Sequence, residues 1–381
     1  MILRKGKNML YQKIGNESLS ALGLGAMRLP TDEKTGEIDL AASAEMVDYA
    51  MKSGINYYDT AWGYHGGQSE LVMGELLKQY PRDSFYLTSK FPGYDLNNID
   101  KVEEIFEKQL EKCQVEYFDY YLFHNVCEMN IDPYLDPKYG IFDYLIKQKQ
   151  AGRIRHLAFS AHGAYDVVER FLEAYGEEMA FCQLQINWVD WEFQDARRKT
   201  ELLAKYGIPV WVMEPLRGGK LARVSDKNEA KLRQMRPDET VVGWAFRFIQ
   251  SLPGVGVTLS GMSNMEQLRQ NVEIFSEYKP LNDAEREALL QIARDMLGNT
   301  LPCTGCHYCT EHCPQQLDIP TILDLYNEHC FSDGGFIAPM KLSTFPPEKL
   351  PSACIGCGSC ERVCPQQIKI SQAMKDFASR L

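Results

Sequence analysis

The sequence lacks three features that would each indicate a particular class of protein. It has no run of about 18 apolar residues, so we expect no membrane-spanning helix. It has no cluster of Lys and Arg, and its net charge of −11 argues against a nucleic-acid partner. Residues 1–11 are basic but lack the apolar stretch of a secretory signal peptide. We therefore predict a cytoplasmic protein that acts on neither membranes nor nucleic acids.

What is present points to a globular protein with metal sites. Of 381 residues, 45% are apolar, enough for one large or two unequal domains. The 12 cysteines are unevenly distributed, because all except Cys113, Cys127 and Cys182 lie at or beyond Cys303. A disulfide framework requires an oxidising compartment, which nothing else in the sequence suggests. Crowded reduced thiols in a cytoplasmic chain are typical of metal binding.

Between about residues 20 and 275, short apolar segments rich in β-formers alternate with amphipathic helical segments. The strand candidates are 22–27, 55–60, 84–89, 120–124, 156–160, 182–187, 210–214 and 255–259. Near-continuous apolar strands alternating with helices indicate a parallel sheet that is buried on both faces. Eight such units predict a (β/α)8 TIM barrel in the α/β class. A doubly wound sheet is the alternative, but no GxGxxG motif follows the first strand.

The chain divides near residue 298. Residues 9–14 could pair with 15–22 as a hairpin that closes the bottom of the barrel, and a last helical pattern covers 283–297. The composition changes sharply at 298–302. We predict a barrel domain of residues 1–297 followed by a small, mainly helical domain of residues 298–381.

The second domain contains an internal repeat. The segment CTGCHYCTEHCPQQLDI, which starts at Cys303, recurs as CIGCGSCERVCPQQIKI from Cys354. Both copies share C-x-G-C-x-x-C-x-x-x-C-P-Q-Q, which implies two equivalent sites. Structural zinc is the alternative, but zinc typically takes paired C-x2-4-C units, or Cys with His, and not a run of four cysteines.

The repeated motif resembles the bacterial two-cluster ferredoxins, in which the fourth Cys of each motif ligates the other cluster. The resemblance implies two [4Fe–4S] clusters, one on Cys303, Cys306, Cys309 and Cys364 and the other on Cys354, Cys357, Cys360 and Cys313. The long spacer between the motifs is closer to α-helical ferredoxin modules, with a helix predicted over 319–329 and a loop over 333–351. Cys330 lies in the spacer, and we interpret it as a packed thiol.

Four chemically active side chains follow three successive barrel strands. Asp59 and Tyr64 follow the second strand, Lys90 the third and His124 the fourth. Barrel enzymes place their catalytic groups at the carboxyl ends of the strands. Each residue alone has an ordinary structural explanation, but together they predict one catalytic site.

This pattern resembles the aldo-keto reductase family over roughly residues 10–297. Asp-Thr-Ala-x-x-Tyr, Thr-Ser-Lys and the His of strand four match the catalytic tetrad of that family. The resemblance implies that Tyr64 is the general acid, that Lys90 and Asp59 tune it, and that His124 orients the substrate. An adjacent ammonium favours phenolate, so we expect Lys90 to lower the pKa of Tyr64.

The same resemblance implies a nicotinamide site, either for NADP(H) or for NAD(H). Ser160 and Gln183 would hold the carboxamide, and Asn187 lies on the same predicted strand face as Gln183. The remaining cofactor-binding candidates are Pro215, Leu216, Gly218 and Gly219 after strand seven and Ser260, Arg269 and Asn271 after strand eight. Gly261 and Gln267 occupy the positions where two basic residues typically bind a 2′-phosphate, so the choice between NAD and NADP stays open.

The combined prediction is an oxidoreductase that exchanges a hydride between a nicotinamide and a small-molecule carbonyl or alcohol substrate. Its clusters would serve electron transfer or structure, and a redox protein is a candidate partner. Because a hydride carries two electrons and each cluster accepts one, direct coupling usually needs a flavin or a radical step. The alternatives are an electron-transfer protein, whose barrel binds nicotinamide or flavin as a relay without carbonyl turnover, and a redox sensor.

Overall fold

The computed structural model describes residues 2–4, 9–303, 308–364 and 366–381. The chain forms two compact units, Met1–Gln291 and Ile292–Leu381. Their division falls inside the helix Asp283–Met296, which the sequence analysis assigned wholly to the barrel domain. None of the helices in the described ranges is long and apolar enough to cross a membrane.

The first unit contains the predicted eight-stranded parallel barrel, which is therefore confirmed. Its strands are β4 (Leu22–Gly25), β5 (Tyr57–Asp59), β6 (Tyr86–Phe91), β7 (Phe118–Val126), β8 (Ile154–Ala161), β9 (Met179–Gln185), β10 (Val210–Met213) and β11 (Val255–Ser260). The barrel closes where β11 pairs with β4, with Ser260 opposite Leu24. All carboxyl ends of the strands consequently lie on one rim.

A small antiparallel sheet precedes the barrel. It consists of β1 (Ile2–Arg4), β2 (Leu10–Ile14) and β3 (Glu17–Ser20), and Tyr11 lies opposite Ser20. Leu19 is fully buried in a cluster with Tyr57 and Trp211 from the barrel interior. The hairpin therefore contributes to the barrel core, as expected from the sequence.

Helices surround the barrel strands, and their sequences explain their ends and faces. They are α1 (Leu40–Lys52), α2 (Ser69–Leu77), α3 (Val102–Cys113), α4 (Ile131–Leu135), α5 (Ile141–Gln150), α6 (Tyr165–Tyr175), α7 (Asp190–Phe193), α8 (Ala196–Lys205), α9 (Asp226–Met235), α10 (Val241–Gln250), α11 (Met265–Ile274) and α12 (Asp283–Met296). In α1, the Asp39 carboxylate caps the first turn by accepting from the Ala42 N–H at 3.0 Å. Met46 and Val47, one turn on, are buried.

The second unit is helical. It contains α13 (Tyr308–Glu311), α14 (Ile319–Ser332), α15 (Ile337–Leu342), α16 (Ser359–Arg362) and α17 (Ile370–Arg380). The prediction of a loop over 333–351 was wrong for α15, which buries Ala338 and Leu342 in the same core as Ile322 and Phe377. Gly334 and Gly335 precede α15 and Pro346 follows it, whereas Pro339 lies in its first turn, where a helix leaves the N–H unpaired. Burial of its apolar residues offsets the short length of α15.

Candidate functional site

Lys90 stands at the centre of the predicted tetrad. Its Nζ donates to Asp59 Oδ1 at 2.6 Å, to the Thr60 carbonyl oxygen at 2.9 Å and to Tyr64 Oη at 3.2 Å. The exposed fraction is 1% for the Lys90 side chain and 3% for Asp59. The pairing of β5 with β6 sets this contact, because Asp59 lies opposite Thr88, two residues before Lys90. The three donor contacts satisfy the ammonium in the barrel interior.

The buried pair determines the charge at this position. Burial by itself lowers the pKa of Lys90, but the charge of Asp59 and the hydrogen bonds to Asp59 and Tyr64 outweigh it and the net direction is upward. Burial raises the pKa of Asp59, and Lys90 opposes that rise. Lys90 therefore stays an ammonium at neutral pH, directed at the Tyr64 hydroxyl.

The pKa of Tyr64 is set by burial and by Lys90, which act in opposite directions. Burial raises the pKa of Tyr64, and the nearby Lys90 ammonium lowers it, as predicted, but offsets the rise only in part. The net direction is upward because desolvation of the phenolate exceeds the attraction of one ammonium. The consequence is a phenol that keeps its proton at neutral pH and can donate it.

His124 completes the group of four at the end of β7. Its ring centre lies 6.0 Å from that of Tyr64 with an edge-on angle of 82°. Burial lowers the pKa of His124 well below its ordinary value, and the charge of Lys90 adds to this. The imidazole is therefore neutral at physiological pH, and its buried Nδ1 has no hydrogen-bond partner within the described ranges. A neutral ring with one uncommitted nitrogen can donate to or accept from a substrate oxygen.

Tyr94 is a neighbour of the tetrad that the sequence analysis missed. Its ring meets that of His124 edge-on at 5.0 Å. A Cβ on Gly63 would lie 2.4 Å from Tyr94 Oη, so the glycine leaves room for this hydroxyl. The glycine directly before Tyr64 was the available signal, although it does not reveal which side chain fills the space.

A buried polar network supports the backbone at Lys90. Gln109 Nε2 donates to the Lys90 carbonyl oxygen at 3.0 Å and to Glu70 Oε1 at 2.6 Å. Ser89 Oγ donates to the same Glu70 oxygen at 2.6 Å, and Glu70 is fully buried. The network joins α2 and α3 to β6, so it fixes the strand that carries Lys90.

A cavity at the ends of β10 and β11 collects most of the predicted nucleotide-binding residues. The predicted residues that line it are Pro215, Leu216, Gly218, Gly219, Ser260 and Asn271. Its volume is about 240 Å³, and Asn271 Nδ2 donates to Ser260 Oγ across it at 3.1 Å. The φ angles of Gly218 and Gly219 are 66° and 92°, so backbone N–H groups can approach a ligand closely there.

Arg28 also lines this cavity and was missed from the sequence. Its guanidinium lies 3.6 Å from Glu214. Its side chain lies 3.0 Å from where a Cβ would stand on Gly218, and at the same distance for Gly261. Among the described residues that line the cavity it is the one cation. A single arginine far away in the sequence gave no signal, because only the closed barrel brings β4 beside β11.

Ser160 and Gln183 lie opposite each other in the pairing of β8 with β9. Ser160 Oγ accepts from the Asn125 backbone N–H at 2.7 Å. Gln183 Oε1 is buried and lacks a hydrogen-bond partner in the part of the chain that the structure describes. An unsatisfied buried acceptor suits an incoming amide N–H₂, so this pair fits a nicotinamide carboxamide.

Asn187 and Arg269 have other neighbours. Asn187 follows the end of β9 instead of lying on it, and its Nδ2 donates to Asp190 Oδ2 at 2.6 Å. Gln185 Nε2 and Arg217 Nε reach the same carboxylate oxygen at 2.8 and 3.1 Å. A protein network therefore satisfies this polar face. The Arg269 guanidinium lies 5.5 Å from the ring centre of Tyr49, and Arg269 is not among the residues that line the cavity.

In the second unit, one complete predicted thiol set lines a single cavity. Its cysteines are Cys313, Cys354, Cys357 and Cys360, and its volume is about 20 Å³. Cys313 comes from the first motif and the other three from the second, as the exchanged ligation requires. Leu317, Ile319, Ile370 and Met374 form apolar walls. Within the described residues, no three His, Cys, Asp or Glu side chains stand in a ready-made metal-binding arrangement.

The other predicted set is described in part. Cys303, Cys309 and Cys364 pack on one hydrophobic core, whereas Cys306 lies outside the described residues. Cys309 is 6% exposed. Cys330 is exposed on α14, so its interpretation as a packed thiol was wrong. Its position on the outer face of an amphipathic helix explains the difference.

Comparison with known proteins identifies both units. A profile described as the aldo/keto reductase family matches residues 21–294, and a profile described as a 4Fe-4S dicluster domain matches residues 302–369. The chain belongs to the aldo/keto reductase family. It is thus an oxidoreductase whose C-terminal part is an iron–sulfur-binding domain.

Individual relatives agree with the family assignment. An uncharacterized oxidoreductase, YqkF of Bacillus subtilis, is 24% identical over 74% of this chain and 95% of its own length. The NADH-specific methylglyoxal reductase of Escherichia coli is 27% identical over 54% of this chain and 66% of its own. A solved aldo-keto reductase from Klebsiella pneumoniae, in complex with NADPH, has a TM-score of 0.60 and 19% identity and covers 76% of this chain and 96% of its own. That structural likeness supports the barrel fold.

Proposed function

We propose that this aldo/keto reductase exchanges a hydride between a nicotinamide cofactor and a small-molecule carbonyl or alcohol. The observation that carries the proposal is the contact of the Lys90 ammonium with both Asp59 and Tyr64, beside a neutral His124. Such a group can protonate an oxygen that gains negative charge when a carbonyl is reduced.

Each residue has a defined part in this chemistry. Tyr64 Oη delivers the proton to the carbonyl oxygen in reduction and takes it back in alcohol oxidation. Lys90 stabilises negative charge on that oxygen, and Asp59 keeps Lys90 charged in the interior. His124 orients the carbonyl oxygen through a hydrogen bond. Tyr94, in edge contact with His124, restricts where that ring can lie.

The nicotinamide site would use residues at the ends of β8 to β11. When bound, the cofactor supplies or accepts the hydride. Ser160 and Gln183 would hold its carboxamide, and the unsatisfied Gln183 oxygen supports this assignment. The backbone of Gly218 and Gly219 and the cation of Arg28 would hold its phosphates. Relatives use NADH or NADPH by their names, so both remain candidates for this chain.

The C-terminal domain would bind two [4Fe–4S] clusters with exchanged fourth ligands. The cavity formed by Cys313 with three thiols of the second motif supports this arrangement for one cluster. A redox protein is the proposed electron partner. Thiolate ligands require a reducing compartment, so we propose the cytoplasm as the location.

The decisive experiment is an anaerobic assay of the cluster-loaded full chain with NADH and NADPH. Nucleotide binding is measured by fluorescence. Turnover is measured with a panel of aldehydes and ketones. We expect Tyr64→Phe to bind nucleotide like the wild type and to lose about 10²- to 10⁴-fold in turnover. Tyr206→Phe, which alters an exposed tyrosine, is the matched control. Failure of the wild type to bind either nucleotide would refute the proposal, and cluster reduction without carbonyl turnover would favour the electron-transfer alternative.

A further inference from the structure

A short chain of hydrogen bonds ends at one sulfur of the second motif. Arg362 Nη2 donates to Ser359 Oγ at 3.0 Å, and Ser359 Oγ lies 3.6 Å from Cys357 Sγ. Ser359 and Arg362 both belong to α16, which starts directly after Gly358. The Cys357 thiol donates to Ser359 Oγ here. A thiolate sulfur can only accept, and the Ser359 hydroxyl proton can turn to it because Ser359 Oγ accepts from the guanidinium.

The residue between Cys357 and Ser359 brings the hydroxyl close to this sulfur. Gly358 makes this possible because its left-handed φ of 67° turns the chain so that α16 begins against the cysteine. The nearest acidic side chain in the sequence, Glu361, accepts from the backbone N–H of Ser371 at 2.9 Å. The sulfur of Cys357 thus has the Ser359 hydroxyl within reach, with a guanidinium behind that hydroxyl.

The first motif carries different residues at the aligned positions. In the internal repeat, Tyr308 corresponds to Ser359 and Glu311 corresponds to Arg362. Tyrosine carries its hydroxyl on an aromatic ring, whereas serine carries it on Cβ. Glu311 also replaces a positive charge by a negative one. The two copies therefore share their cysteines and differ in the groups that favour negative charge on sulfur.

Cluster reduction adds one electron to a group that already bears thiolate and sulfide charge. Hydrogen bonds to the sulfurs and nearby positive charge stabilise the reduced form more than the oxidised form, which raises the reduction potential. In the second motif, Ser359 and Arg362 supply both of these features.

We propose that Ser359 and Arg362 raise the reduction potential of the cluster on Cys313, Cys354, Cys357 and Cys360 above that of the other cluster. This cluster is then reduced before the other, whatever donor supplies the electrons. Each cluster accepts one electron. The inference rests on the proposed binding of two clusters, and it assigns Ser359 and Arg362 as positioning and tuning residues, not as ligands.

The test is a dithionite redox titration of the cluster-loaded full chain, followed by EPR. We expect two one-electron steps in the wild type. In Ser359→Ala the higher potential should fall by about 59 mV, which is a tenfold change in the equilibrium constant for one electron. Arg362→Gln should act in the same direction, and Arg362→Lys should restore part of the shift. Tyr308→Phe removes a hydroxyl at the aligned position and should move neither potential.

The outcomes separate this inference from the proposed function. Two assembled clusters with equal potentials would overturn the inference alone, as would a Ser359→Ala variant in which the lower potential moves. Iron and sulfide analysis that finds a single cluster in the wild type would instead refute the two-cluster part of the proposed function.

Discussion

The Nζ of Lys90 and the Oδ1 of Asp59 are 2.6 Å apart at the end of two adjacent barrel strands, and both side chains are almost completely buried. A buried ion pair adds little stability compared with apolar residues, because desolvation costs about as much as the attraction supplies. Its presence is therefore better explained by the ammonium that it keeps beside Tyr64 than by folding stability.

Removal of one partner of this pair should destabilise the protein. In Lys90→Met the Asp59 carboxylate stays buried without its cation, so we expect a loss of about 3–5 kcal/mol in the free energy of unfolding. The double variant with Asp59→Asn should recover part of that loss. Chemical denaturation measures both. Lys108→Met, which breaks an exposed pair with Glu111 at 2.8 Å, is the control and should cost less than about 1 kcal/mol.

The pH dependence of carbonyl reduction should follow the protonation of Tyr64. Because burial holds the pKa of Tyr64 above its ordinary value of about 10, the phenol stays protonated through neutral pH. We expect a rate that is level across neutral pH and falls only in the alkaline range, where the proton is lost. Steady-state kinetics with saturating nucleotide measure this profile. A rate of reduction that rises with pH would contradict the role of Tyr64 as the acid.

His124 should make stability depend on pH on the acidic side. Its folded-state pKa lies well below the value of about 6.5 expected in the unfolded chain. Below about pH 6.5 the unfolded state therefore binds a proton that the native state does not, and stability falls as pH falls, by up to about 1.4 kcal/mol per pH unit. In His124→Asn this part of the slope should disappear. Equal slopes for both proteins in denaturant titrations between pH 5 and 7 would contradict the burial argument.

The pattern of apolar segments predicted most of the fold, because the strands of a parallel barrel are buried on both faces and are nearly continuously apolar. Sequence also placed Asp59, Lys90 and His124 on one rim, because that rim follows from the strand order. The sequence did not predict contacts that form only when the barrel closes. Arg28 reaches the nucleotide cavity only because β4 closes against β11, and no local pattern reveals this.

Two further features of the site have the same origin. Asn187 continued the alternation of polar residues along strand six, but the strand ends earlier and Asp190 binds the Asn187 amide. The net direction of the Tyr64 pKa depended on how much water the folded barrel excludes, a quantity that no sequence pattern contains. Residue types and spacing thus predicted which groups meet. The structure shows how deeply they are buried and which hydrogen-bond partners they have.

Arg28 should contribute to nucleotide affinity. Its guanidinium lies against Gly218 and 3.6 Å from Glu214, and its aliphatic stem lies against Gly261. We expect Arg28→Met to weaken binding of NADH about tenfold and to reduce its salt dependence, because a charge-assisted phosphate contact is lost. Fluorescence titration at two salt concentrations measures this. Arg223→Met, at an exposed arginine that does not line the cavity, should bind like the wild type.

The exchange of fourth ligands between the two motifs can be tested by comparing EPR spectra of variants in which one cysteine at a time is replaced by serine. Cys313 lines the same cavity as Cys360, although the two belong to different motifs. If they ligate one cluster, Cys313→Ser and Cys360→Ser should each lose that cluster and leave the same residual spectrum. Cys364→Ser should instead match Cys309→Ser, and Cys330→Ser should keep both clusters, since Cys330 lies outside both motifs. If Cys313→Ser matched Cys309→Ser, each motif would hold its own cluster, and the cavity would have another explanation.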